Sequence, residues 1–145
     1  MPVERTANAV WTGTLTQGSG VVTVLSGATP ELPVTWASRT QRSEGKTSPE
    51  ELLAAAHAAC FSMALSAGLA EAGAAPTRLE VGATATLDTT DAGPTVTKIA
   101  LKVRGAVPGL DAAGFTRAAE AAKAGCPISR ALAPSVSIVL DAELL

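Results

Sequence analysis

Alternating apolar and polar positions mark strands along this chain, and one long apolar stretch marks a helix. Leu79, Val81, Ala83, Ala85 and Leu87 point one way, while Glu80, Thr84, Thr86 and Asp88 point the other. That is the period of a half-buried strand. After the turn-rich DTTDAGP, Ile99, Leu101 and Val103 oppose Lys98, Lys102 and Arg104, which predicts a returning strand and a hairpin. Val136, Ile138 and Leu140 against Ser135, Ser137 and Asp141 predict a C-terminal strand, and residues 10–15, the QGSG turn and residues 21–25 a further hairpin near the N-terminus. Residues 111–124 fit a helix with Asp111 as its cap and Gly125 as its stop. Antiparallel groups of strands separated by helices give an α+β class. Neither an internal repeat nor a long linker divides the sequence, so residues 1–145 are expected to form a single domain.

The segment SPEELLAAAHAACFSMAL carries the strongest local signals. Ser48 is a good N-cap, Pro49 suits the first helical position, and Glu51 stands three residues after Ser48 as in a capping box. Glu50 and Glu51 lie at the positive end of the helix dipole. Gly73 can end the helix, and Pro76 prevents it from continuing. From residue 52 to residue 70 there is no formal charge, close to the ~20 residues that span a bilayer. Alanine is weakly lipophilic, however, and His57, Ser62 and Ser66 interrupt the run. No Lys/Arg cluster or Trp/Tyr belt flanks it. The stretch therefore reads as a core helix buried on most sides.

Composition narrows the class. Acidic residues exceed basic ones, 13 against 11, so neither nucleic acid nor an anionic membrane is an expected partner. The N-terminal MPVERTANAVW has no apolar core or cleavage site of an export signal, and a cytoplasmic location is expected. There a structural disulfide between the two cysteines would be unusual. One histidine and two dispersed cysteines make no metal-ligand cluster.

The cysteines are the candidate chemistry. In an alanine-rich helix Cys60 reads either as a small core residue or as a nucleophile. A wholly apolar site would raise its pKa, so a reactive Cys60 needs a cation nearby. His57, one helical turn earlier, is either a Cys–His base or a packed imidazole hydrogen-bonded elsewhere. Cys126, in AGCPIS, precedes a proline suited to the first position of a short helix. That would set the thiol at an N-cap, where backbone donors stabilise a thiolate. Arg39 and Arg42 fall in the polar WASRTQRSEGK, read as a loop.

GKTSPEELLAAAHAACFSMAL followed by AGCPISRAL resembles the osmotically inducible protein C (OsmC) family of thiol-dependent hydroperoxide reductases. The likeness extends through TKIALKV and VPGLDAAGF between the two cysteines. No Lys or Arg occurs between Arg5 and Arg39, which points to the OsmC branch rather than the organic hydroperoxide resistance branch, whose arginine comes much earlier. The resemblance implies a peroxidatic Cys60, a resolving Cys126, a catalytic Arg39 and its acid Glu50. It also implies an intertwined homodimer in which antiparallel sheets of both subunits wrap long central helices.

On that footing Cys60 would attack an organic hydroperoxide as a thiolate, with its pKa lowered by Arg39. It would pass through a sulfenic acid to a Cys60–Cys126 disulfide. Glu50 and Cys60 are ten residues apart, ~15 Å along one helix, too far for direct contact within it. Phe61 and Met63 are expected to accommodate the organic part of the peroxide. The resemblance implies no metal or other cofactor, an external dithiol or dihydrolipoyl protein as reductant, and a role in stress defence. A non-catalytic ligand-binding protein of the same fold and a Cys–His hydrolase are the alternatives.

Overall fold

The computed structural model describes residues 1–145. The chain forms two compact units, Met1–Leu52 and Leu53–Leu145. Mixed helix and sheet agrees with the expected α+β class.

In the first unit, β1 (Ala7–Thr12), β2 (Ser19–Val24) and β3 (Leu32–Val34) form an antiparallel sheet in the order β1-β2-β3. The expected hairpin is present, with Trp11 opposite Gly20 in its register. A side chain at Gly20 would meet the Trp11 ring at 2.7 Å, so the small residue lets the indole lie across the sheet. The predicted polar loop contains a short helix instead, α1 (Trp36–Thr40). Thr35 and Ser38 cap it reciprocally, Ser38 N–H donating to Thr35 Oγ1 at 3.0 Å and Thr35 N–H to Ser38 Oγ at 2.9 Å. Two caps can hold five residues that show no apolar period.

The long helix α2 (Pro49–Glu71) begins at the predicted place. Glu51 N–H donates to Ser48 Oγ at 3.1 Å, while the Glu51 carboxylate accepts from Thr47 Oγ1 at 2.8 Å, so the expected box is half formed. At the far end Gly73 takes φ +79°, and Ala74 N–H donates back to Leu69 O at 2.8 Å. This is a glycine-terminated stop of the expected kind.

In the second unit, β4 (Arg78–Thr90), β5 (Gly93–Ala106) and β6 (Ser137–Leu144) form a sheet in the order β4-β5-β6. β4 and β5 are the predicted hairpin. β6 pairs with β5 in parallel, because α3 (Ala112–Gly125) and α4 (Pro127–Leu132) carry the chain back to the starting end of the sheet. Asp111 caps α3 through Gly114 N–H at 2.7 Å. Phe61, Leu65 and Leu69 of α2 pack with Ile99, Leu101 and Val103 of β5 and Phe115 of α3, all essentially without exposure.

Within this unit α2 buries one stripe, Ala54, His57, Phe61, Leu65 and Leu69, at helical spacing. The opposite stripe, with Ala55, Ala59, Met63, Ala67 and Ala70, is exposed and also apolar. The helix is long and apolar enough to cross a membrane by length and composition, and only 28% of its most apolar window is buried by the chain. Burial on most sides, as the sequence suggested, is not achieved by one chain alone.

Candidate active site

Two arrangements, one in each unit, contain the four expected catalytic side chains. In the first unit Arg39 stands in α1 rather than in a loop. Ser38 Oγ donates to Thr47 O at 2.8 Å, which ties α1 to the approach of α2 and faces Arg39 toward Glu50. Arg39 Nη2 reaches Glu50 Oε1 at 2.8 Å, and Nε reaches Oε1 at 3.0 Å and Oε2 at 3.2 Å. Two guanidinium nitrogens thus engage both carboxylate oxygens, a geometry that fixes the fork as well as its charge. Glu50 is buried. The guanidinium carbon also lies 5.9 Å from the centre of the Trp36 ring, one turn back on α1.

Beside this pair is an apolar cleft of about 310 Å³ lined by Trp11, Leu15, Val34, Thr35, Trp36, Arg39 and Pro49. Sequence reasoning passed over it. Its signal was the position of both tryptophans of the chain in the segment that also carries Arg39.

In the second unit Cys60 and Cys126 are free thiols, near enough for each to act on the other's ionisation. Cys60 sits near the middle of α2. Cys126 is fully buried and is the N-cap of α4, with Pro127 at the first position, as AGCPIS suggested. Burial pushes the Cys60 thiol above its ordinary value, as does the neighbouring sulfur, and a hydrogen bond from Ile128 N–H opposes them only partly. Burial acts upward on Cys126 too. There it is outweighed by hydrogen bonds from Ser129 N–H, the Cys60 thiol, the Ser129 hydroxyl and Ile128 N–H, and the net direction is down. Of the two thiols, Cys126 is therefore the one whose ionisation its surroundings favour. A lowered pKa was expected at the N-cap Cys126, and that is its direction; within this unit the direction at Cys60 is upward.

His57 is one turn before Cys60, fully buried, with Nε2 2.7 Å from Ser129 Oγ. Of its two readings, a packed imidazole bonded to a neighbouring group is the one realised. Burial lowers its pKa, which keeps it neutral. Phe61 is enclosed by the core with no exposed surface, whereas Met63 is 67% exposed, beside a shallow cleft lined by Ser62, Ser66 and residues 76–79. Arg42 is exposed. No group of three or more His, Cys, Asp or Glu side chains lies together in a way that could hold a metal ion.

A family model described as OsmC-like protein matches residues 42–141. The chain belongs to the OsmC family. It is 46% identical over 144 residues to a protein named Peroxiredoxin OsmC from Escherichia coli K12, covering 99% of each chain. Its fold matches the organic hydroperoxide resistance protein OhrB of Bacillus subtilis with a TM-score of 0.76 at 24% identity, over 95% of this chain and 98% of that one. An OsmC-like protein from Mycoplasma pneumoniae matches with the same TM-score at 16% identity, over 100% and 99%.

Proposed function

We propose that this OsmC-family protein is a cysteine-based peroxidase that reduces organic hydroperoxides to alcohols, with Cys60 as the peroxidatic and Cys126 as the resolving thiol. The observation that carries this reading is the contact between two free thiols at the N-terminal turn of α4. Membership of a family that includes Peroxiredoxin OsmC supports it.

The Cys60 sulfur attacks one peroxide oxygen. An S–O bond forms, the O–O bond breaks, and the departing alkoxide takes a proton to become the alcohol. The proton that Cys60 sheds goes to that alkoxide. Cys126 then attacks the sulfur of the Cys60 sulfenic acid; S–S forms, S–O breaks, and the hydroxide leaves as water with the proton of the Cys126 thiol. Arg39, held by Glu50, is the guanidinium that favours a charged Cys60 and stabilises the alkoxide. The apolar cleft with Trp11 and Trp36 takes the organic group. Phe61 serves the core, and Met63, exposed on α2, remains the side chain of that helix available to an organic group.

The sulfurs carry both electrons in this scheme, so no bound cofactor takes part. An external dithiol or dihydrolipoyl protein resets the disulfide, in a cytoplasm that keeps thiols reduced. The functional form is a homodimer of one OsmC-like domain, residues 1–145, per chain. The open apolar stripe of α2 and the exposed β1, with Val10 and Trp11 outward, support a second copy as the cover. Light scattering is expected to give twice the chain mass.

The deciding experiment is a count of free thiols after the reduced protein meets one equivalent of cumene hydroperoxide. Loss of two per chain, recovered by dithiothreitol, is expected. No loss would refute the peroxidase reading.

A further inference from the structure

His57 is the chain's only histidine, and the scheme above gives it no part. Yet it closes a chain of contacts. Its Nε2 lies 2.7 Å from Ser129 Oγ, and Ser129 is 2% exposed. Ser129 lies in the first turn of α4, whose N-cap is Cys126, and its hydroxyl and the Cys60 thiol are both among the groups that lower the Cys126 pKa. The links run from α2 to α4 and back to α2 within one buried cluster.

Hydrogen-bond accounting gives this chain a direction. A neutral imidazole has one N–H and one acceptor nitrogen, and His57 Nδ1 is buried without a partner. Were the hydrogen on Nδ1, a buried N–H would be orphaned. The Ser129 hydroxyl hydrogen would then be spent on Nε2. With the hydrogen on Nε2 only a lone pair goes unpaired, and the single hydroxyl hydrogen is free for sulfur. Buried N–H groups are orphaned more rarely than acceptors, so the second tautomer is the one this site favours.

We propose that His57 is a positioning residue for the resolving step: its Nε2–H, given to Ser129 Oγ, aims the Ser129 hydroxyl hydrogen at the Cys126 sulfur and keeps that sulfur nucleophilic once Cys60 is oxidised. This rests on the peroxidatic and resolving roles proposed above. In the reduced pair the Cys60 S–H is also a donor to Cys126. Oxidation removes that S–H. The remaining donors are Ser129 N–H, Ile128 N–H and the Ser129 hydroxyl. Backbone donors are fixed by the turn of α4; the hydroxyl alone can rotate away, and His57 prevents it. The titratable groups facing Cys126 are Cys60 directly and His57 through Ser129. On the neighbouring α3, Lys123 engages Glu120 at 3.0 Å.

The test titrates Cys126 by thiolate absorbance in a Cys60→Ala background, where it is the sole cysteine and lacks the Cys60 donor. Ser129→Ala and His57→Leu are expected to raise the midpoint by about one pH unit, a tenfold loss of thiolate. His57→Gln, whose amide can donate where Nε2 did, is expected to retain the midpoint. An unchanged midpoint in Ser129→Ala overturns the proposal, as does a His57→Gln variant that behaves like His57→Leu. With both cysteines present, Ser129→Ala is expected to lengthen the life of dimedone-trappable sulfenic acid about tenfold. A raised midpoint with unchanged decay also overturns it. No loss of free thiols when the unaltered protein meets cumene hydroperoxide would instead identify the peroxidase reading as the failure, since the absorbance titration does not depend on it.

Discussion

Arg39 and Glu50 are joined through two guanidinium nitrogens and both carboxylate oxygens, with side-chain exposures of 30% and 10%. A pair of that geometry orients a cation rather than merely neutralising it. Arg39→Lys keeps the charge but cannot reproduce the fork. Peroxidase activity is therefore expected to fall on the order of 10²-fold, the scale of losing one preorganised donor to a developing anion. Glu50→Gln is expected to show a smaller loss in the same direction. Glu50→Ala should also lower stability by about 1–2 kcal/mol, a value moderated by the partial exposure of Arg39. Steady-state rates with cumene hydroperoxide and urea unfolding read the two effects separately. Activity retained in Arg39→Lys would remove the guanidinium from the mechanism.

The tryptophan-lined cleft makes the substrate preference testable. An aromatic side chain that covers the organic group contributes about 1.5–3 kcal/mol when buried. Trp36→Ala is thus expected to reduce kcat/KM for cumene hydroperoxide by tenfold or more. Hydrogen peroxide has no organic group to place there, so its kcat/KM should change far less. Equal losses for both peroxides would mean that Trp36 acts by supporting Arg39, whose guanidinium lies over its ring, and not by binding substrate.

Where the sequence was legible, a local signal sufficed. Ser48 and Glu51, Gly73, Asp111 and the Cys126–Pro127 step each marked a helix end that the structure realises. The alternation in residues 79–88 and 98–104 gave the hairpin for the same reason. Less was visible where tertiary context decides. The α1 turn is too short for a period and depends on caps between Thr35 and Ser38. The parallel pairing of β6 follows from the α3–α4 crossover, not from its own residues. Most instructive is the thiol pair. The sequence placed Cys126 at an N-cap, yet which sulfur ionises more readily depends on how Ile128 and Ser129 meet a helix 66 positions earlier in the chain. That fact lies in packing.

Gly105 tests the core. A Cβ built there would lie 2.5 Å from the Phe115 ring and 3.2 Å from Leu79. Phe115 is fully buried among Leu65, Ile99 and Val103, so the ring has little room to retreat. Gly105→Ala is expected to destabilise the protein by about 1–3 kcal/mol through overpacking. Phe115→Leu in the same background should recover part of that loss. Urea unfolding of the two variants checks this, and a neutral Gly105→Ala would show that α3 shifts freely over the sheet.

Acid stability offers a separate reading of His57. Burial holds its pKa below the ordinary 6.5, and a proton added to the ring would create an N–H at Nδ1 where no acceptor lies. The unfolded chain therefore binds this proton more readily than the folded one, and stability rises with pH across the interval between the two pKa values. The contribution is complete above 6.5 and is lost as pH falls toward the folded value. His57→Gln cannot take up the proton. Its unfolding free energy is expected to decline less than that of the unaltered protein on acidification below 6.5, with the gap widening by up to about 1.4 kcal/mol per pH unit. Urea midpoints measured for both proteins across that range decide the matter. Parallel profiles would mean that the imidazole accepts its proton without penalty, and the buried, unpartnered Nδ1 would then have to find water or an acceptor on protonation.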